Sequence, residues 1–200
     1  LLKQRSDLLK HAWLTQTRHL RPGIPAGLPL DQAEAKSRSL LLLFQMHTAN
    51  LPSLFEEAKT SEWNGYERID FKILERPALL VKPKSSAPGK PWIWRTEFFG
   101  HEPQADLALL DRGFHVAYID VQNLYGAPVA MKAMGELFLA LTTEEGLSKK
   151  PVLEGFSRGG LFAFNWAAAY PESTAALYVD APVCDFKSWP GGKGKGKGDP

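Results

Sequence analysis

Gly155-Phe156-Ser157-Arg158-Gly159 fits the pattern Gly-x-Ser-x-Gly. A serine hydroxyl attacks an acyl carbon efficiently only when a base takes its proton and N–H donors hold the oxyanion that forms. On a tight, strained turn between a strand and a helix, such a serine is lifted above the sheet edge. The N-terminus of the helix then aims backbone N–H groups at the same point. The glycines have a steric reason: larger side chains two residues before or after the serine would meet the neighbouring strand and helix. Gly160 leaves further room for close helix–strand packing. These residues read as a nucleophile for acyl transfer; a glycine-rich structural turn is the plainer alternative. The histidines are His11, His19, His47, His101 and His115, and none follows Ser157.

That chemistry requires a strand before the serine and a helix after it. "KPVLEGF" (150–156) reads as a strand, and "GGLFAFNWAAAY" (159–170) as a helix stopped near Pro171. Upstream, "ERIDFKI" alternates Ile69, Phe71 and Ile73 with Arg68, Asp70 and Lys72, the period of a half-buried strand. "PALLVKP" is a second strand joined to it by a tight connection at Glu75 to Pro77, and "WIWRTEFF" begins as a third. "QADLALLDR" places Leu107 and Leu110 on one helical face, with Gly113 just past its end. "FHVAYID" is a near-continuous apolar run, as in a strand covered on both faces. Met134, Leu137, Phe138 and Leu141 fall at i, i+3, i+4 and i+7 of another helix. "AALYVDAPV" reads as a further buried strand. An antiparallel hairpin followed by alternating strands and helices predicts an α/β fold, a mostly parallel sheet with helices on both faces. Ligands in such sheets bind beyond the carboxyl ends of the strands, where Ser157, the loop after Arg95 and the loop after Val179 all fall.

From about Trp63 to Trp189 the chain resembles a bacterial α/β-hydrolase, one of a group of esterase-like or prolyl-oligopeptidase-like serine hydrolases. "PWIWRTEFFGHEPQADLALLDRGFHVAYIDV", "LYGAPVAM" and "VLEGFSRGGLFAFNWAAAYPE" carry the resemblance. It implies an α/β-hydrolase fold over residues 51–200, with residues 1–50 a poorly defined lead. It also implies Ser157 as nucleophile, the backbone N–H of Arg158 as one oxyanion donor, and Glu97 or Phe98 in "RTEFFGH" as the second. The Arg158 side chain is either a substrate contact or a surface salt bridge. The family orders its triad Ser, acid, His, so His101 fits a pocket-lining residue or a plain loop residue better than the base. Asp180, at the end of the strand after the elbow helix, is either a triad acid or a loop cap. His115 lies inside a strand and is read as a satisfied histidine, and Asp120 as structural. The missing base and the short stretch after Ser157 lead us to expect a chain that is incomplete at its C-terminus and inactive or nearly so by itself.

The implied reaction is hydrolysis of a carboxylic ester, on a small molecule or a carbohydrate, without a cofactor. The alternative is an inactive hydrolase-fold module that binds rather than cleaves. A peptidase of the prolyl-oligopeptidase type is weaker, since residues 1–50 are too few for an upstream propeller. A formal charge of +2 gives no reason to expect nucleic acid, and no histidine or cysteine cluster suggests a metal. No run reaches the roughly 18 apolar residues of a membrane span. "KSRSLLLLFQMHTAN" (36–50) reads as a signal remnant, favouring a secreted or periplasmic protein, or as a short helix or unstructured lead. Cys184, the single cysteine, is expected to be a small buried apolar residue. "GGKGKGKGDP" (191–200) is either a flexible solvated segment or a basic loop over the site.

Overall fold

Asn64 and Gly65 sit at φ of 51° and 82°, the mirror-image turn that matches the twist of two antiparallel strands. In the computed structural model, which describes residues 55, 57–185, 187, 189 and 191–193, this turn joins β1 (Lys59–Trp63) to β2 (Tyr66–Ile73). Leu74 and Glu75, at φ of 49° and 62°, form an equivalent turn into β3 (Arg76–Lys82). There follow β4 (Trp92–Arg95), α1 (Gln104–Leu110), β5 (His115–Ile119), α2 (Pro128–Thr143), β6 (Val152–Phe156), α3 (Gly159–Ala169), a 3-10 turn (Pro171–Ser173) and β7 (Ala176–Asp180). The described strands form one sheet in the order β1-β2-β3-β5-β4-β6-β7. This is an α/β-hydrolase fold. The sheet is evenly mixed rather than mostly parallel: β1–β2, β2–β3 and β3–β5 are antiparallel, and β4–β5, β4–β6 and β6–β7 are parallel. The extra antiparallel pair is β1, a strand that the apolar alternation does not reveal. The expectations for residues 1–50, including the signal-like run, lie outside the described residues, as do His11, His19 and His47 and the end of the Lys/Gly run from 194 onward.

Strand alternation sorts the core into two layers. Leu79, Val81, Ile93, Val116 and Tyr118 face α1, where Leu110 packs among them. Trp92 and Trp94 point the other way. Trp92 meets Phe138 of α2 at 6.5 Å between ring centroids, and Trp94 meets Trp166 of α3 edge-on at 4.8 Å. Met134, Leu137, Phe138 and Leu141 are buried as their spacing requires. Helices thus cover both faces.

Two expectations need correction. β7 is an exposed strand, with Leu177 and Tyr178 at 37% and 51% exposure. Apolar composition suggested burial, but β7 ends the described sheet and pairs with β6 alone. Tyr178 lies opposite Glu154, beyond the reach of the short α1. Cys184 is also exposed. It follows β7 on the same uncovered flank, its sulfur 3.5 Å from the Pro182 carbonyl oxygen.

The β6–α3 junction is as tight as the glycine spacing implies. A Cβ on Gly155 would lie 3.1 Å from both the Ala163 Cβ and the Gly160 Cα. On Gly160 it would lie 2.6 Å from the Pro182 Cβ and 2.9 Å from the Val183 carbonyl oxygen.

Three stability outcomes follow, all read by chemical denaturation. Gly160→Ala forces backbone apart and costs about 1–3 kcal/mol. Gly135→Ala, in α2 with nothing within 4 Å of its Cβ position, is neutral or gains up to about 1 kcal/mol; equal effects of the two would contradict the packing described. Trp166→Ala removes the ring shared by α3 and the sheet and costs about 3–5 kcal/mol, and a loss below about 1 kcal/mol would show that this layer contributes little.

Candidate active site

Ser157 follows the last residue of β6 and has φ of 51°, a conformation that is strained for any residue with a Cβ. The strain is held by hydrogen bonds on both sides. The Ser157 N–H donates to the Asp180 carbonyl at 3.0 Å, and its carbonyl accepts from the N–H of Gly160 at 3.1 Å and of Val183 at 2.8 Å. The end of β7 and the loop after it therefore fasten the elbow. Among the described residues the Ser157 hydroxyl makes no hydrogen bond.

The loop after β4 lies against the elbow. Thr96 donates its N–H to the Glu154 carbonyl at 3.0 Å. Its hydroxyl lies 2.9 Å from that same oxygen and 2.8 Å from the Gly159 carbonyl oxygen. This pins the loop to β6 and to the first residue of α3. A Cβ on Gly159 would sit 3.1 Å from the Glu97 Cβ and 3.6 Å from the Glu97 nitrogen, so glycine at that position lets the loop approach. Phe98 turns the loop at φ of 54°. Among the described residues, the N–H groups of Glu97, Phe98 and Arg158 have no backbone acceptor.

The Arg158 side chain is a clamp. One guanidinium nitrogen donates to Glu97 Oε1 at 3.2 Å and the other to Asn123 Oδ1 at 3.2 Å, with the group 5.0 Å from the centre of the Phe98 ring. It ties the elbow to the loops after β4 and β5. Of the two readings of this side chain, the salt bridge is observed, with a partner that is buried rather than on the surface. Burial pushes the Glu97 carboxyl above its usual range, against the pull of Arg158 and with a push from Asp120. Glu97 Oε2 and Arg158 Nε are both buried without a hydrogen-bond partner.

His101 is exposed, with its ring 5.2 Å from that of Phe156; Phe98 meets Phe156 edge-on at 5.7 Å. These rings form a rim beside Ser157. Asp180 holds Ser157 through its backbone, and among the described residues no histidine bonds its exposed carboxylate. His115 is far less available. It is buried, with Nε2 3.3 Å from the Ser86 hydroxyl and Nδ1 3.4 Å from the Pro91 carbonyl oxygen, and burial holds its pKa below the usual value. On the β2–β3–β5 side of the loop, a cavity of about 250 Å³ is lined by Arg68, Asp70, Phe98, Tyr118, Asp120 and Gln122, among others. Burial pushes the Tyr118 phenol up to about 12. Among the described residues no cluster of three metal-ligating side chains occurs, and no helix is long and apolar enough to cross a membrane.

Sequence reasoning missed the charged residues beneath this loop, Arg95, Asp106 and Glu154, which are 3%, 0% and 5% exposed. The signal was present: an arginine in "WIWR" and a glutamate in "VLEGF" interrupt strands that are otherwise apolar, and a charge there needs a partner.

No protein-family model matches the chain, and no curated protein matches it. Among solved structures it is similar to a cold-adapted esterase from an Arctic intertidal metagenomic library, at 11% identity and a TM-score of 0.48, over 60% of this chain and 63% of that one. It is also similar to Candida antarctica lipase A in its closed state, at 12% identity and a TM-score of 0.41, over 62% and 40% of the two chains. An α/β hydrolase from Novosphingobium aromaticivorans gives 19% identity and a TM-score of 0.41, over 59% and 45%. The chain thus spans between 40% and 63% of the length of these structures. The fold assignment rests on the strand order and the strand–turn–helix around Ser157.

Proposed function

We propose that the protein is a serine hydrolase that cleaves carboxylic esters through an acyl-enzyme on Ser157. The observation that carries this reading is Ser157 at φ of 51° on the β6–α3 turn, beside backbone N–H groups that have no backbone acceptor. In the proposed reaction the Ser157 oxygen attacks the ester carbonyl carbon. The N–H groups of Arg158 and of Glu97 or Phe98 receive the negative charge that forms on the carbonyl oxygen. Collapse breaks the ester C–O bond, the alcohol leaves with a proton, and water releases the acid by the same steps in reverse order. The general base in this reading is a histidine other than His101 and His115, since neither hydrogen-bonds Ser157 and His115 is engaged with Ser86 and Pro91, and Asp180 is the candidate to orient it. The Phe98–Phe156–His101 rim and the cavity beside Phe98, which combines aromatic faces with Asp120, Gln122 and Tyr118, suit an ester on a small polar molecule or carbohydrate.

A fluorophosphonate probe applied to the full-length protein tests this reading. Labelling is expected at Ser157 and is lost in Ser157→Ala, with ester hydrolysis falling by on the order of 10⁶-fold, as for other nucleophile deletions. Absence of labelling while a control hydrolase reacts, or labelling that survives in Ser157→Ala, would overturn it and favour a non-catalytic binding module.

A further inference from the structure

Arg95 closes β4, Glu154 lies directly beside it in β6, and Asp106 reaches the pair from the first turn of α1. Arg95 Nη2 donates to Glu154 Oε1 at 2.7 Å. Arg95 Nη1 lies 3.1 Å from Asp106 Oδ2, close enough for an ion pair but not aligned for a hydrogen bond. The same nitrogen donates to the His101 carbonyl at 2.7 Å and lies 3.4 Å from the Phe98 carbonyl oxygen. One guanidinium thus serves two carboxyl groups and both ends of the loop after β4.

The charges do not balance if both acids are ionised. One cation against two carboxylates leaves a net negative charge in a closed interior, which is strongly disfavoured. Among the described residues, no other charged side chain forms an ion pair with these three, and Arg95 and Glu154 are the charged groups that act on Asp106. From β5 the neighbour is the Tyr118 phenol and from β7 it is Tyr178, opposite Glu154, and from the loop His101 presents its carbonyl while its ring lies on Phe156. The hydrogen bonds do not balance either. Glu154 Oε2, Asp106 Oδ1 and Asp106 Oδ2 are buried acceptors without a donor, and the structure has no reason to tolerate three of these side by side.

We propose that Asp106 and Glu154 hold one proton between them, in a carboxyl–carboxylate hydrogen bond beneath Arg95, and that this neutral cluster makes Arg95 the positioning residue of the 96–101 loop. A single proton removes the excess charge and gives the unpartnered oxygens a donor. It also leaves Arg95 free to hold the carbonyls of Phe98 and His101. Burial and the neighbouring Glu154 push the Asp106 carboxyl up to about 7 against the pull of Arg95. The sign is opposite to that of an ordinary salt-bridged carboxylate. The stabilisation is fully present below the unfolded pKa near 3.8 and is lost as pH rises through about 7. That this loop carries the oxyanion donors rests on the hydrolase reading; the shared proton does not.

The test compares the full-length protein with Asp106→Asn and Glu154→Gln, whose amides mimic the protonated acid without titrating. Relative to either variant, the unfolding equilibrium of the unsubstituted protein is expected to shift toward unfolding by about tenfold per pH unit between roughly pH 5 and 7. Glu97 and His115 titrate in all three proteins, so the difference isolates the pair. Hydrogen exchange of the 96–101 amides, corrected for its intrinsic pH dependence, should quicken above pH 7 in the unsubstituted protein and not in Asp106→Asn. A native infrared band of a protonated carboxyl at pH 6, lost on unfolding, is a readout that needs no variant. The proposal is overturned if both amide variants keep the pH slope, if the loop exchange does not follow it, or if the native protein lacks the protonated-carboxyl band. Fluorophosphonate labelling of Ser157 decides the hydrolase reading separately, since neither the slope nor the band depends on it.

Discussion

The close approach of α3 to β6 is the constraint on which the site depends. With Gly155 and Gly160 in near contact, the chain must reverse within a few residues, and Ser157 is the residue left to absorb the turn at positive φ. The strain is sustained because its surroundings over-determine it. Asp180 and Val183 grip its backbone from one side, and Thr96 reaches from the other to the carbonyls of Glu154 and Gly159. The elbow is thus held by two separate segments, the end of β7 with the loop after it and the loop after β4, neither of which uses the serine hydroxyl.

The loop after β4 is built on a similar economy. Its apolar residues, Phe98 and Phe99, pack on Phe156 and Tyr118. Its polar anchoring comes from two arginines at different depths: Arg95 beneath it, bonded to its carbonyls, and Arg158 above it, bonded to Glu97. Buried ion pairs of this kind add little net stability compared with apolar packing, but removing one partner is costly. Their value here is geometric, because a carbonyl held by a guanidinium fixes which way the adjoining N–H groups point.

Much of this was legible in the sequence, for reasons that differ by element. The long helix over 128–143 and the apolar strands β5 and β6 announce themselves by periodicity, because burial enforces it. The elbow announces itself by glycines that steric contact requires. β1 was missed although Asn64-Gly65 marks a hairpin strongly, because its own residues are exposed and polar and so show no alternation. β7 was expected to be buried because a strand's composition does not reveal whether it has neighbours on both sides. The Arg95, Asp106 and Glu154 cluster was illegible as a unit. Each charge is visible singly, but only the parallel register of β4 and β6, and the placement of α1 over it, show that they meet. The role of the Arg158 side chain was open for the same reason, since Asn123 and Glu97 are remote in sequence.

The central claim is that Ser157 forms a covalent bond to substrate. It is tested most directly by mixing the full-length protein with an activated aryl ester, quenching in acid within the first turnover, and mapping the adduct by peptide mass spectrometry. The account predicts one acyl group, located on the peptide that contains Ser157 and absent in Ser157→Ala. Ester turnover with no acyl group at Ser157, or with the acyl group on another residue, would contradict it.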